Sequence, residues 1–205
     1  ASGVPDDGWP QVAGAKADRS ERKIFAFTAR EPLRYLAFIV SQLQHVETTT
    51  IEFPELRKTL TLSVEANPRQ VRRARELAPR AADIARFYAS LAGDVPYPAF
   101  TLAVVESNLP GGHSPGYFAV LNSPLAAPST WRDDPASFDG FPDFFIAHEV
   151  AHQWWGQAVG WKSYHEQWIS EGFAQYFSAL YAQKLRGDGI FIDMLRQFRR
   201  WAMSE

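Results

Sequence analysis

The sequence predicts an α+β fold, in which a small antiparallel or mixed sheet lies beside several helices. Residues 59–65 alternate apolar and polar side chains, and residues 100–105 and 117–121 are short apolar runs typical of strands. Residues 69–91 repeat apolar side chains at three- and four-residue intervals, which is typical of an amphipathic helix. Of the 205 residues 46% are hydrophobic, which is enough apolar material for a sizeable core.

The first third of the chain shows weaker patterns. Residues 1–20 are rich in Gly, Pro, Asp and Ala and have no periodicity, so we expect a loose arm. Residues 23–28, 35–41 and 45–51 are expected to form short strands, because apolar and β-branched side chains dominate them. Pro79 lies inside the predicted helix and is expected to kink it or split it.

The composition argues against several classes of partner. A formal net charge of −2, from 21 basic and 23 acidic residues, offers no electrostatic reason to bind nucleic acid or an anionic membrane. The chain has no apolar run of the roughly 18 residues that a membrane-spanning helix needs. It has no cysteine, which excludes disulfides and thiolate ligands within it. We therefore predict no nucleic-acid partner and no membrane-spanning segment in this chain.

The most informative segment is residues 148–152, with the sequence HEVAH. Four residues advance a helix by about 400° and roughly 6 Å, so His148 and His152 would project from nearly the same face and converge on one ion. Glu149 would point to the neighbouring edge of that face, from where it reaches a water rather than the metal. This spacing predicts a zinc site with Glu149 as general base.

A third ligand follows the second histidine after eighteen intervening residues, and it is Glu171. Two His and one Glu leave one position of a tetrahedral zinc open, which is typical of catalytic sites, whereas structural sites fill all four. We therefore predict that His148, His152 and Glu171 hold one Zn²⁺ per chain.

Two further histidines are expected to be structural. His45 lies in a predicted strand. His165 stands beside Glu166 shortly before the third ligand, where a capping or ion-pair role is the ordinary one.

The metal motif and its surroundings resemble the zinc aminopeptidases of the membrane alanyl aminopeptidase type, which are thermolysin-like metallopeptidases with a Glu as third ligand. The resemblance covers about residues 60–181. Besides the HEVAH motif it is carried by QWWGQ at residues 153–157, Trp168, EGFA at 171–174 and Tyr176, and upstream by PYP at 96–98 with LAVV at 102–105.

The resemblance implies a thermolysin-like catalytic domain at residues 55–205, truncated at its C-terminal end. It implies that residues 1–54 combine the flexible arm with the tail of an amino-terminal β-domain. It also implies a zinc-dependent metallopeptidase, a hydrolase with peptide substrates and aminopeptidase-like cleavage, in which Glu149 activates a water. The remainder of a longer polypeptide would then be a further partner of this chain.

Residues 111–116, GGHSPG, depart from the family, which carries Gly-x-Met-Glu-Asn here and holds the substrate's free amino terminus with that Glu. Ser114 and Pro115 stand near this position, and neither supplies a negative charge for an ammonium group. For His113, in the same segment, contact with substrate and a plain loop role remain equally open. His113 and Ser114 are thus candidate substrate-binding residues, and whether the substrate needs a free amino terminus stays open.

The family's proton-donating Tyr lies well beyond the third zinc ligand, and Tyr176 and Tyr181 are too close to Glu171 to be that residue. We therefore expect this chain to be a piece of a longer protein and the isolated piece to be inactive. A second hypothesis is a non-catalytic module that retains the zinc site and binds peptides or a partner. Glu149 argues against it, because metal retention alone requires no carboxylate at that position.

Overall fold

The computed structural model describes residues 1–13, 22–107, 111–123, 138 and 140–203. The strands in this part of the chain are β1 (Val4–Pro5), β2 (Gln11–Ala13), β3 (Arg22–Ile24), β4 (Phe27–Thr28), β5 (Gln44–Phe53), β6 (Lys58–Ala66), β7 (Ala99–Glu106), β8 (Gly112–His113) and β9 (Phe118–Ser123). The α-helices are α1 (Val71–Ala92), α2 (Phe144–Ala151), α3 (Trp168–Arg186) and α4 (Asp188–Met203). Short 3-10 helices occupy Pro54–Leu56, Pro68–Gln70 and Tyr164–Glu166.

Five strands form one mixed sheet in the order β5-β6-β7-β9-β8. β5 and β6 make an antiparallel hairpin, β6, β7 and β9 run parallel, and β8 pairs antiparallel with β9. Residues 102–105 of β7 are all buried, as expected for a strand in the middle of a sheet. The two-residue strand β8 ends the sheet. The predicted mixed sheet is therefore confirmed, and β1/β4 and β2/β3 form two separate strand pairs.

α1 packs on this sheet through a face of small side chains. Its buried alanines recur at three- and four-residue spacing, which permits a close approach to the strands: Ala74, Ala78, Ala81, Ala85 and Ala89. Pro79 is exposed, and the helix continues through it, so the predicted split is wrong. Pro79 has no N–H to donate to the carbonyl of Arg75, four residues earlier. Because Arg75 is exposed, water can donate to that carbonyl instead.

The remaining helices form a layer of their own. α2 is buried over its whole length and packs against α3, which packs against α4. α2 begins at Phe144, three residues later than the start near Phe141 that the sequence predicts, because residues 141–143 form a turn instead. Asp143 precedes α2 and pairs with Arg80 of α1. No helix in the described part of the chain is long and apolar enough to span a membrane.

Tyr88 of α1 joins three helices. Its side chain is fully buried, and its ring lies edge-on to Trp154, Phe177 and Tyr181. Its hydroxyl donates to the carbonyl of Ala147 in α2, at 3.0 Å. This buried hydrogen bond therefore links α2 to α1 and satisfies the Tyr88 hydroxyl in the core.

The strand expected at residues 35–41 is absent, and that prediction is wrong. Leu36, Phe38 and Val40 are exposed at 79, 78 and 86%, so the apolar character of this stretch does not reflect a buried strand. No strand in the described part of the chain pairs with this stretch. Residues 23–28 also differ from the single strand predicted, because they are divided between β3, which begins at Arg22, and β4, and these two strands pair with different partners.

The domain boundary predicted at residue 54 falls in the turn between β5 and β6. Ile51 and Phe53 on one side share the main core with Leu60 and Leu62 on the other. The division into residues 1–54 and 55–205 stays a prediction. Two short strands, β1 and β2, lie within the predicted arm, of which residues 14–21 lie outside the described residues.

We predict that Tyr88→Phe lowers the free energy of unfolding by about 1 kcal/mol, because it removes the donor to Ala147 and keeps the ring contacts. Urea unfolding followed by circular dichroism measures the change. Ser90→Ala removes an exposed hydroxyl that donates to Phe87 within the same helix, and it should change the stability by less than about 0.5 kcal/mol. Equal losses in both variants would contradict the role of Tyr88.

Candidate active site

His148, His152 and Glu171 lie together where the end of α2 meets the first turn of α3. His148 Nε2 is 3.1 Å from His152 Nε2 and 3.3 Å from Glu171 Oε2, and His152 Nε2 is 3.6 Å from the same oxygen. Ligands about 2.0–2.1 Å from a tetrahedral zinc ion are separated by about 3.3 Å from one another. The three side chains therefore have the spacing of a zinc site and could hold a metal ion.

The ring of His152 is oriented by two contacts on its far nitrogen. Nδ1 lies 3.1 Å from the carbonyl oxygen of Trp155 and 3.2 Å from Ser170 Oγ. A carbonyl only accepts, so Nδ1–H donates to it and the lone pair is left on Nε2, towards the other two ligands. Burial lowers the pKa of His152, and the charge of His148 acts in the same direction. Both effects favour the neutral imidazole that binds a metal.

Gly156 makes the contact on His152 possible. Its φ is +102°, and a Cβ at this position would lie 2.2 Å from Ser170 Oγ. Glycine alone fits this close approach without moving α3. The loop after α2 can therefore turn back against α3 and bring the Trp155 carbonyl onto the imidazole.

The carboxylate of Glu171 is the more exposed ligand, with 47% of its side chain accessible. Burial acts to raise the pKa of Glu171, but the hydrogen bond with His148 and the charges of the two histidines outweigh it and lower the pKa. The side chain thus stays ionised in the range where a carboxylate ligand is needed.

Glu149 points to a different neighbour, the segment around β8. The carboxylate is buried, and the hydroxyl of Ser114 donates to its Oε2. A Cβ built on Gly112 would lie 2.7 Å from the other oxygen, Oε1, so β8 passes directly beside the carboxylate. Burial raises the pKa of Glu149, while the charge of His152 and the Ser114 hydroxyl oppose the rise. A carboxylate with a raised pKa is suited to general-base chemistry.

Two glutamines that follow the second histidine hold the segment after β8 in place. The buried amide of Gln153 donates to the carbonyls of Pro115 and Phe118, at 3.1 and 3.3 Å, and accepts from the N–H of Tyr117 at 2.9 Å. Gln157 donates to the carbonyl of Ser114 at 3.0 Å. These side-chain amides therefore join the sheet edge at β8 to residues 148–157, the metal-binding segment that contains both histidines of the site.

The two predicted substrate-binding residues differ in accessibility. His113 is exposed, and its ring stacks on Tyr35 with centroids 6.2 Å apart and Nε2 3.4 Å from the hydroxyl. Ser114 is 5% exposed and turned towards Glu149. Substrate contact by either residue stays a prediction.

The two remaining histidines lie outside the metal-binding group that the described residues form. His45 Nδ1 is 2.9 Å from Glu65 Oε1 across β5 and β6. His165 lies in the 3-10 helix Tyr164–Glu166, where the capping box is formed by Ser163 and Glu166 rather than by the imidazole.

Sequence reasoning missed the residues that support the site. Gln153 and Gln157 follow Glu149 at four-residue intervals. This spacing was the signal from which one could have inferred that the three side chains point in the same direction. The roles of Gly112 and Gly156 had no comparable signal. They depend on which side chain approaches each glycine in the folded chain.

Comparison with known proteins identifies relatives of this site. Residues 143–205 match the peptidase family M1 domain. Mouse (Mus musculus) aminopeptidase O is 29% identical over 94 residues, which are 45% of this chain and 10% of that protein. Human (Homo sapiens) endoplasmic reticulum aminopeptidase 1 is 26% identical over 163 residues, which are 74% of this chain and 16% of that protein. The chain therefore spans only a small part of the length of these relatives.

The fold has relatives among solved structures. The crystal structure of an M1 zinc metallopeptidase from Deinococcus radiodurans superposes with a TM-score of 0.61 at 17% identity, over 92% of this chain and 38% of that one. This likeness shows the fold, and the predicted α+β, thermolysin-like architecture is confirmed. Together with the sequence matches, it also confirms the resemblance predicted from the metal motif.

We predict about one zinc per chain after dialysis, and near-complete loss of zinc in His152→Ala, because only two ligands remain. Mass spectrometry of the metal measures the content. His45→Ala is the matched control and should keep its zinc. A chelator should lower the melting temperature of the wild type and leave that of His152→Ala unchanged, since an ion that binds only the folded state stabilises it. Zinc retained in His152→Ala would refute the ligand assignment.

Proposed function

We propose that the protein is a zinc-dependent metallopeptidase, because residues 143–205 match the peptidase family M1 domain and include all three candidate metal ligands. It hydrolyses peptide bonds in an aminopeptidase-like way, with Glu149 as general base and His148, His152 and Glu171 as ligands of the ion. Peptides are its substrates.

The observation that carries the proposal is that four buried or half-buried polar side chains divide into a group of three and a fourth that points elsewhere. Three of them bring their ligand atoms within 4.8 Å of one another. The fourth, Glu149, turns instead to Ser114 and β8. A site that only retained a metal would need the first three, whereas hydrolysis also needs a base beside the metal.

The chemistry follows from these positions. Zinc, when bound, supplies a Lewis acid that polarises the peptide carbonyl and lowers the pKa of the attacking water towards ~7. Glu149 accepts a proton from that water and afterwards delivers it to the leaving amine. Its raised pKa favours the first transfer, because a carboxylate with a higher pKa is a stronger base towards the water.

The edge of the sheet offers a place where a substrate peptide could lie beside the base. β8 is the last strand in the sheet order, and Gly112 on it lies beside Glu149. An extended peptide that pairs along β8 would therefore run past the base and the metal ligands. The absence of a side chain at Gly112 suits this approach, because a larger residue there would displace the carboxylate of Glu149.

We predict that Glu149→Ala keeps its zinc and lowers peptide hydrolysis by at least about 10²-fold, because the proton acceptor is lost and the ligands remain. The measurement uses the protein expressed from its complete gene, with metal content and peptide cleavage followed on the same samples. Glu47→Ala, an exposed acidic residue on β5, is the control and should behave as wild type. Undiminished turnover in Glu149→Ala would remove Glu149 as the base. Zinc without any cleavage by the wild type would favour the peptide- or partner-binding module.

We predict that peptides with a free amino terminus are cleaved less than roughly tenfold faster than their acetylated counterparts. This limit is the largest preference that a solvent-exposed charge pair would give. The reason is that residues 111–116 supply no carboxylate to an ammonium group. Ratios of kcat/KM for matched peptides measure the preference. A much larger ratio would place the amine-binding carboxylate outside this segment.

A further inference from the structure

The hydroxyl of Ser114 makes a direct contact with the proposed base. It donates to Oε2 of Glu149, and the two residues are exposed by only 5% and 6%. A buried carboxylate that loses its water must find donors in the protein, and a hydroxyl on a neighbouring strand is one. The residues are 35 positions apart in the chain, so the contact exists only in the folded protein.

The backbone that follows the Cα of Ser114 is held at two successive carbonyls. The Ser114 carbonyl accepts from Gln157 at 3.0 Å, and the next carbonyl, of Pro115, accepts from Gln153 at 3.1 Å. Both glutamines follow the second histidine by only a few residues. The backbone that carries the Ser114 hydroxyl is therefore fixed relative to residues 148–157. A donor that is fixed in this way restricts the rotamer of the Glu149 carboxylate that it contacts.

The contact also distinguishes the two carboxylate oxygens. Oε2 is engaged by Ser114, whereas Oε1 lies beside Gly112 on β8, where a Cβ would come within 2.7 Å of it. The strand along which a peptide would pair thus passes next to Oε1.

We infer that Ser114 is a positioning residue for the base: its hydroxyl holds Oε2 of Glu149 and leaves Oε1 to exchange the proton. This inference rests on the proposed hydrolysis. It gives the segment that lacks the family's amine-binding carboxylate a role in orienting the base.

The test is Ser114→Ala in the protein expressed from its complete gene. We expect kcat to fall roughly 10- to 100-fold, as for other residues that orient a reacting group through a hydrogen bond, while KM stays within about twofold and zinc content is unchanged. A residue that only shaped the peptide-binding edge would raise KM and leave kcat unchanged. Ser63→Ala is the control, since Ser63 lies on β6, three strands away from β8 in the sheet order, and this variant should match the wild type.

A second measurement does not depend on turnover. Ser114→Ala should lower the melting temperature of the wild type by several degrees, because Glu149 is left buried without its donor, and by much less in the Glu149→Ala background. Additive shifts in melting temperature, or a kcat equal to that of the wild type, would overturn the inference.

The two measurements separate the inference from the proposed function. If Glu149→Ala abolishes hydrolysis and Ser114→Ala does not slow it, the function stands and the positioning role fails. If the wild type cleaves no peptide, the proposed function fails. The melting temperatures of the four proteins in the cycle then still decide whether Ser114 holds Glu149.

Discussion

The site depends on the burial of α2 between α1, α3 and the sheet. Every residue of this helix is buried, including His148 and Glu149. Polar side chains in such a place need partners, since an unpaired buried group costs about 1–3 kcal/mol. The fold provides one for His148 Nε2 and one for Glu149 from two directions, with Glu171 of α3 on one side and Ser114 on the other. The packing of α2 thus dictates which chemistry each side chain can perform.

The three candidate ligands come from α2, its C-terminal cap and α3, which pack against each other, so metal binding would be coupled to helix packing. Glu171 belongs to α3, and the ring of His152 is oriented by Trp155 and Ser170, from the loop and from α3. Gly156 permits the close approach of these two parts. An ion held by all three ligands would therefore stabilise the contact between α2 and α3, because its binding energy is available only when that contact is formed.

The segment around β8 departs from the family in sequence and still remains closely connected to the site. Gln153 and Gln157 bind its backbone, and Ser114 reaches Glu149. A carboxylate for the substrate's amine is missing from residues 111–116, while the shape beside the base is maintained by Gly112. This arrangement supports the proposed hydrolytic site over a site that only retains a metal.

By itself the sequence determined the helix α1, the strands β6, β7 and β9 and the pairing of the candidate ligands His148 and His152, because helical and strand periods and a four-residue spacing are local properties of the chain. It misjudged residues 35–41, since a run of apolar and β-branched residues does not reveal whether a pairing strand is present. The contact of Ser114 with Glu149 and the clamp made by Gln153 join residues 35 to 38 positions apart. Only the tertiary structure decided these, because the position of β8 against α2 arises from packing that no short stretch of sequence contains.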